Sequence, residues 1–293
     1  MNKGPSIAVL LPACNGMLWI EEQINSIFAQ IGVDIGLYIS IDISDDQTYQ
    51  WCLSLAQTDE RVTILSYGER FGGAARNFFR LIREVNFDKY DFVALADQDD
   101  IWLPEKLERA TIMIQQHDLQ AFSSDVIAFF QDGREQLIKK SHSQKRFDYF
   151  FESAGPGCTY VFRSPALSQF KQFLIANWLT VNDLTFHDWV LYAYFRHHQL
   201  AWQIDNQPTM RYRRHEFNQI GPNVGLGAYM NRLGMVQSKW YSKEVEKLFR
   251  LIDPKGASGL KLERSFLIRH YRQLRRHPKE ALALLFLLLL GQY

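Results

Sequence analysis

The stretch DFVALADQDDIWLPEKL, residues 91–107, joins a buried-strand pattern to a cluster of acidic residues. DFVALA is short and apolar, as expected for a strand inside an α/β sheet. Pro104 falls in the first turn of a predicted helix, where its missing N–H costs nothing. The carboxylates of Asp97, Asp99 and Asp100 are therefore confined to a short loop between a strand and a helix.

The residues before this loop alternate between strand and helix patterns. Predicted strands are SIAVLLPA (6–13), GLYISID (36–42), RVTILSY (61–67) and DFVALA (91–96), and predicted helices cover 18–30, 47–57 and 74–85. Such alternation predicts a mostly parallel sheet with right-handed crossovers. Ligands of these sheets bind beyond the carboxyl ends of the strands, where Pro12–Asn15, Asp42 and Asp97–Asp100 all fall.

Like charges held this close repel one another, and a hard divalent cation with oxygen ligands removes that penalty. The acidic loop therefore predicts a site for Mg²⁺ or Mn²⁺. The alternative is a solvated, Asp-rich helix start, because aspartate also stabilises helix N-termini.

The bulk composition restricts the class of protein. The chain has 293 residues, 47% hydrophobic and 22% charged, with a formal net charge of +1. A nearly neutral globular chain is not expected to bind nucleic acid. Three cysteines, at positions 14, 52 and 158, show neither disulfide nor metal spacing, which favours a reducing compartment.

The pattern changes after residue 118. Residues 121–130 and 134–140 predict a hairpin, 167–178 and 187–198 predict helices, and 200–205 and 209–215 predict short strands. GPNVG (221–225) interrupts the chain, and a helical, basic and aromatic segment follows from residue 225.

Three further groups are candidates for a site. Asp188 opens a helix, where it is either a simple cap or a partly desolvated general base. Arg76 follows a Gly-rich loop that fits neither nucleotide-binding fingerprint, and is placed to meet a nucleotide. The basic run RYRRH (211–215) is either a solvated turn or a phosphate clamp.

In this order the motifs resemble glycosyltransferase family 2. The matching stretches are VLLPACNG (9–16), IDISDDQT (41–48), FGGAARN (71–77) and LADQDDIWLPEKLE (95–108). HDWVLYAY (187–194) and MRYRRHEFNQIG (210–221) further resemble the bacterial rhamnosyltransferase-like branch. The resemblance implies a GT-A fold: a Rossmann-like, mostly parallel central sheet flanked by helices, here with a C-terminal helical appendage. It divides the chain into a GT-A domain, 1–224 (nucleotide-sugar half 1–110, acceptor half 111–224), and a segment 225–293.

The resemblance also implies residue roles. Asp188 would be the catalytic base, and Asp99, Asp97 and His215 would hold the metal. The nucleotide sugar would contact Pro12, Ala13, Asn15, Asp42, Arg76, Asp97, Gln98 and Arg213. The acceptor would contact Gly157, Cys158, Thr159, His187 and Trp189.

The implied activity is metal-dependent, inverting transfer of a sugar to a bacterial cell-surface glycan or glycolipid, such as lipopolysaccharide core or O-antigen. The leading donor is dTDP-L-rhamnose, and a UDP-hexose is second. A non-catalytic nucleotide-sugar binder and a nucleotidyltransferase are the alternatives. The latter is disfavoured because PACNG after the first strand has no cation.

The C-terminal segment predicts contact with something anionic. Residues 239–280 contain 12 Lys and Arg against 5 Asp and Glu, a net charge of +7. An apolar run, ALALLFLLLL (281–290), follows and is too short to span a bilayer. Residues 260–293 are therefore expected to make peripheral contact with the cytoplasmic face of the inner membrane. A helix packed on the globule or on a second copy of the chain is the alternative.

Overall fold

The structure is a computed structural model, and it describes residues 4–215 and 239–293. The strands are β1 (Ser6–Ala13), β2 (Asp34–Ile41), β3 (Val62–Ile64), β4 (Phe92–Leu95), β5 (Ile101–Trp102), β6 (Ala121–Ser124), β7 (Val126–Phe130), β8 (Glu135–Ile138), β9 (Val161–Arg163), β10 (Trp202–Asp205) and β11 (Met210–Arg214). The helices are α1 (Ile20–Phe28), α2 (Thr48–Thr58), α3 (Ala74–Glu84), α4 (Lys106–Gln116), α5 (Ser164–Ala176), α6 (Trp178–Val181), α7 (His187–His197), α8 (Trp240–Ile252), α9 (Arg264–Arg269) and α10 (Pro278–Leu289).

The main sheet has seven strands in the order β10-β6-β9-β4-β1-β2-β3. The pairs β1–β2, β1–β4, β2–β3 and β6–β10 are parallel, whereas β9 is antiparallel to both of its neighbours. β1 is central and almost completely buried, which explains why its sequence is apolar at nearly every position. The predicted α/β class and the mostly parallel sheet are confirmed.

The predicted hairpin at 121–140 is only partly correct. Its first strand is divided at Asp125: β6 joins the main sheet, while β7 pairs with β8 in a second sheet of order β5-β11-β7-β8. The buried Asp125 carboxylate accepts hydrogen bonds from the backbone N–H groups of Lys140 and Ser141, at 2.5 and 2.8 Å. The chain therefore changes sheets at a residue whose side chain fixes the far end of the hairpin.

The predicted C-terminal helices are present as α8, α9 and α10. They do not stand apart from the sheet domain, because Val245, Leu267 and Leu284 share one buried cluster with residues of α3 and α7. Among the described helices, none has both the length and the apolar character needed to cross a bilayer. The GPNVG stretch and the boundary at 224/225 lie outside the described residues, and the division into domains stays a prediction.

Candidate active site

A cavity of about 610 Å³ opens at the carboxyl ends of β1, β2 and β4, between the main sheet and the β7–β8 hairpin. It brings together many of the predicted site residues: Pro12, Ala13, Asp42, Asp97, Gln98, Asp99, Gly157, His187 and Asp188. This is where a parallel sheet binds ligands.

Gln98 shapes the loop after β1. Its side-chain amide makes two hydrogen bonds to the backbone of Cys14, accepting from N–H and donating to C=O, each at 2.9 Å. A Cβ at Gly16 would lie 2.4 Å from Gln98 Oε1, so a side chain at this position would displace the amide from its hydrogen bonds to Cys14. The second residue of the acidic loop thus fixes the first wall of the cavity.

Asp42 organises the Gly-rich loop before α3. Its carboxylate accepts hydrogen bonds from the backbone N–H groups of Phe71 and Gly72, at 2.7 and 3.1 Å. Asn15 joins the loops after β1 and β2, because its N–H donates to Ser44 Oγ and its Oδ1 accepts from Asp45 N–H. Backbone hydrogen bonds to these polar side chains hold the side of the cavity where the nucleotide is predicted to bind.

Both arginines predicted to bind the donor make other contacts. Arg76 is exposed, with Nε 3.3 Å from the carbonyl oxygen of Asn182. Arg213 Nε donates to the carbonyl oxygen of Asp99 at 2.8 Å, and its guanidinium forms an ion pair with Glu22. Within residues 4–215 and 239–293, the arginine that lines the cavity is Arg214. The donor roles of Arg76 and Arg213 stay predictions.

Asp99 is paired with His215. The distance from His215 Nε2 to Asp99 Oδ2 is 2.6 Å, and the imidazole stacks on Trp19 with ring centroids 4.1 Å apart. Stacking fixes the ring plane, and the carboxylate fixes one ring nitrogen. A carboxylate and an imidazole are thus placed side by side at the cavity, and their role as metal ligands stays a prediction.

Next to this pair lies a cluster of ionisable groups in which Asp100 and Cys158 are buried. Ligand atoms of Asp97, Asp100 and Cys158 all lie within 4.8 Å of one another. Burial and the charge of Asp99 raise the pKa of Asp97 to about 7 and that of Asp100 well above its usual range. Burial also raises the pKa of the Cys158 thiol, which favours the neutral thiol over the thiolate.

The carboxylates that face the cavity do fit a divalent cation. Asp97 and Asp99 are both in its wall, and the charge of Asp99 is one cause of the raised Asp97 pKa. A hard cation with oxygen ligands would remove this repulsion. Asp97, Asp99 and the adjacent His215 are the residues predicted to hold it, whereas among the described residues the group whose ligand atoms lie within 4.8 Å of one another is Asp97, Asp100 and Cys158.

Asp188 lies in the first turn of α7 and in the cavity wall. Its Oδ1 accepts a hydrogen bond from the Trp189 N–H at 2.8 Å. Burial raises the pKa of Asp188 to about 6, and a hydrogen bond with the Ser153 hydroxyl opposes that rise. A carboxyl with a pKa near neutrality is suited to accept a proton from a substrate.

The remaining residues predicted to bind acceptor divide into two groups. Gly157 and His187 are in the wall, and a Cβ at Gly157 would lie 2.3 Å from His187 Nε2. Burial lowers the pKa of His187 to about 3, and its ring stacks on Phe78. The structure buries Cys158, Thr159 and Trp189 behind the wall, so their acceptor contacts stay unsupported predictions.

Comparison with known proteins agrees with this geometry. The family model described as glycosyl transferase family 2 matches residues 8–179, more than half of the chain. The chain belongs to glycosyltransferase family 2. The dTDP-rhamnosyl transferase RfbG of Shigella flexneri is 40% identical to it over 283 residues, which cover 94% of this chain and 98% of the relative. The resemblance found in the motifs is thereby confirmed, and the protein is a glycosyltransferase.

Solved structures show the same fold. The TarS fragment 1–349 from S. aureus, in complex with UDP-GlcNAc, superposes with a TM-score of 0.54 at 14% identity, covering 98% of this chain and 88% of that one. The mannosyltransferase PcManGT from Pyrobaculum calidifontis, in complex with GDP-Man and Mn²⁺, gives 0.51 at 16% identity, covering 100% and 82%. At these identities the likeness shows the GT-A fold alone.

Several wall residues of this glycosyltransferase carry no sequence signal. Lys139 and Lys140 come from the end of the β7–β8 hairpin, Ser153 from the following loop, and Glu280 from the first turn of α10. They meet the sheet edge only through long-range packing. The C-terminal helix thus contributes directly to the cavity.

Proposed function

We propose that this glycosyltransferase transfers an L-rhamnosyl residue from dTDP-L-rhamnose to a hydroxyl of a bacterial cell-surface glycan, with inversion at the anomeric carbon. The observation that supports this donor is the 40% identity, over 94% of the chain, to a dTDP-rhamnosyl transferase. A UDP-hexose donor is the second candidate, because TarS, with the same fold, was solved with UDP-GlcNAc.

In the proposed reaction, Asp188 accepts the proton of the acceptor hydroxyl. The hydroxyl oxygen forms a bond to the anomeric carbon, the bond from that carbon to the diphosphate oxygen breaks, and dTDP leaves with the electron pair. No covalent intermediate on the protein is required. This scheme is supported by the position of Asp188 and Asp99 in the wall of one cavity. One carboxylate could therefore accept the proton of the acceptor while the other lies near the leaving phosphate.

Asp97, Asp99 and His215 would hold Mg²⁺ or Mn²⁺ in this scheme. When bound, the ion would neutralise the charge that grows on the departing diphosphate. Arg214, also in the wall, adds a permanent positive charge to the same region.

A binding panel tests the donor. Thermal shifts are measured with dTDP-L-rhamnose, UDP-glucose, UDP-GlcNAc and GDP-mannose, each with Mn²⁺ or Mg²⁺. Because a ligand that binds only the folded state stabilises it by about 2.7 kcal/mol at 100 times its Kd, the true donor gives the largest rise in Tm. We expect dTDP-L-rhamnose to give it, and dTDP to compete better than UDP.

If a UDP-hexose gave a larger rise in Tm and faster turnover than dTDP-L-rhamnose, the UDP-hexose would be the donor. Equal rises in Tm with all four nucleotide sugars would contradict the assignment of the donor from the similarity to RfbG. An unrelated nucleotide, ATP with the same metal, controls for binding of phosphate alone.

We further propose that the acceptor is carried at the cytoplasmic face of the inner membrane and that α10 contacts that surface. Leu282, Phe286, Leu289 and Leu290 are 54–62% exposed and repeat along one face of this helix end. Arg264 donates hydrogen bonds to the carbonyl oxygens of Leu288 and Leu289, which stabilises the C-terminal turn below that face. Apolar side chains beside a strongly basic segment suit an anionic bilayer.

Vesicle flotation tests this contact. Full-length Leu282→Ser/Phe286→Ser is expected to bind vesicles of phosphatidylcholine with 30% phosphatidylglycerol at least tenfold more weakly than the unmodified chain, because about 0.8 kcal/mol is lost for each buried CH₂. The matched control is Ile175→Ser/Leu179→Ser, which removes two exposed apolar residues from α5 and α6. Equal binding by both variants would exclude α10 as the contact.

A further inference from the structure

A buried network of ion pairs lies between the C-terminal segment and the acceptor side of the cavity. Its centre is Asp148, whose side chain is fully buried. The carboxylate accepts hydrogen bonds from the Tyr192 hydroxyl at 2.8 Å, from Arg196 Nη1 at 3.2 Å and from Arg276 Nη1 at 3.1 Å. Both cations come from outside the loop that contains Asp148: Arg196 from α7 and Arg276 from the turn before α10.

Arg276 contacts that loop at three further points. Its Nη2 donates to the carbonyl oxygen of Ser153 at 2.6 Å and lies 3.3 Å from Glu152 Oε2. Its backbone N–H donates to Glu152 Oε1 at 2.5 Å. The side chain is 1% exposed. One buried residue of the C-terminal segment therefore fixes both ends of the segment 148–153.

This segment leads directly to the proposed base. Ser153 and Asp188 lie in the same cavity wall, which Gly155, Pro156 and Gly157 continue. The Ser153 hydroxyl donates to the carbonyl oxygen of Gly155 at 3.1 Å, and it is one of the groups that lower the pKa of Asp188. Tyr160 secures the same turn, since its hydroxyl accepts from the Ala154 N–H and donates to the Gly155 carbonyl, both at 3.1 Å. A displacement of the Ser153 backbone would therefore change the environment of Asp188.

We infer that Arg276 is a positioning residue for glycosyl transfer: through the backbone of Ser153 it holds the Ser153 side chain and the turn that follows it in the cavity wall beside Asp188. The inference rests on the proposed role of Asp188 as base. Buried ion pairs contribute little net stability compared with apolar side chains of the same volume. They do impose directional contacts, and here four of these converge on the segment next to the base.

The test uses the full chain with Arg276→Lys, Arg276→Met, Ser153→Ala and the Arg276→Lys/Ser153→Ala double variant. Both single changes at Arg276 are expected to lower kcat about 10- to 100-fold, because a misplacement of about 1 Å can cost about 10²-fold in rate. The Kd for dTDP with metal stays within twofold, because the nucleotide side of the cavity is untouched. Arg272→Met, an exposed arginine four residues away, is the matched control and keeps its kcat.

The double variant separates positioning from a general structural role. If Arg276 acts through Ser153, the loss of kcat in the double variant is close to that of Ser153→Ala alone, because the hydroxyl that Arg276 positions is already absent. Losses that multiply would overturn the inference. A lowered Tm with an unchanged kcat per folded molecule would also overturn it. If Arg276→Met does not fold, Arg276→Lys, Ser153→Ala and their double variant still decide between the two roles.

A failure of the proposed base would look different. In that case Asp188→Asn would keep its turnover, whatever the Arg276 variants do. If Asp188→Asn is inactive and Arg276→Lys has normal kcat, the base stands and the inference about Arg276 falls.

Discussion

Asp188→Asn is expected to lower kcat by about 10²- to 10⁴-fold, the usual contribution of a general base. The amide keeps the size of the carboxyl and one oxygen to accept from the Trp189 N–H, but it cannot take a proton from the acceptor. The Kd for dTDP with metal is expected to stay within twofold. Steady-state transfer to acceptor and calorimetric binding of dTDP measure the two effects separately.

The pH dependence of the unmodified enzyme gives an independent measurement. Burial raises the pKa of Asp188 to about 6, and the base must be deprotonated to act. Transfer is therefore retained above pH 6 and falls tenfold per pH unit below it, as the carboxyl becomes protonated. In Asp188→Asn, the residual activity should no longer show this acidic limb.

Asp183→Asn is the matched control, because Asp183 is an exposed carboxylate five residues earlier that pairs with Lys247. Its kcat should equal that of the unmodified enzyme. If Asp188→Asn kept more than half of the transfer rate, another group would have to be the base, and the inverting scheme with Asp188 would be wrong.

The position of the site could be predicted because one rule connects sequence to space. The strands before Cys14, Asp42 and Asp97 are parallel, so the residues that follow them must meet at one edge of the sheet. The strand and helix patterns were strong in this half, because buried parallel strands are apolar throughout and the helices cover both faces. Fold and cavity therefore follow from local patterns.

The direction of individual side chains could not be predicted in the same way. Cys158, Thr159 and Trp189 are close in sequence to the wall residues Gly157 and Asp188, yet they are buried behind the wall. Trp189 Nε1 donates to the carbonyl oxygen of Tyr149 in the core. A motif locates a backbone segment, whereas packing decides which of its side chains reach the cavity.

Contacts between residues that are far apart in the chain could be predicted from the sequence even less well. Arg276 is 128 residues from Asp148, and Glu280 reaches the cavity from the C-terminal helix. In the sequence, Arg276 is one of many basic residues in a segment that predicts contact with an anionic surface. The sheet change at Asp125 is similar, because the alternation of a strand does not record which sheet it joins.

Asp99→Ala is the second prediction with a large effect. Metal stabilisation of a leaving group is worth several kcal/mol, and 1.36 kcal/mol corresponds to tenfold in rate, so kcat should fall about 10³-fold or more. Metal-dependent tightening of dTDP binding should also disappear, because Asp99 is the carboxylate that lies beside His215 at the cavity. Titration of dTDP with and without Mn²⁺ measures this directly.

Removal of the metal must reproduce the effect of the substitution. The unmodified enzyme in EDTA should lose transfer to the same degree and recover it with Mn²⁺ or Mg²⁺, whereas Asp99→Ala should not recover. Asp34→Asn, an exposed carboxylate at the opposite end of β2, controls for the loss of one negative charge. Full transfer in EDTA would refute the metal role, and the acidic loop would then act through hydrogen bonds alone. The Arg214 guanidinium would in that case have to neutralise the leaving diphosphate, and its removal would become the larger effect.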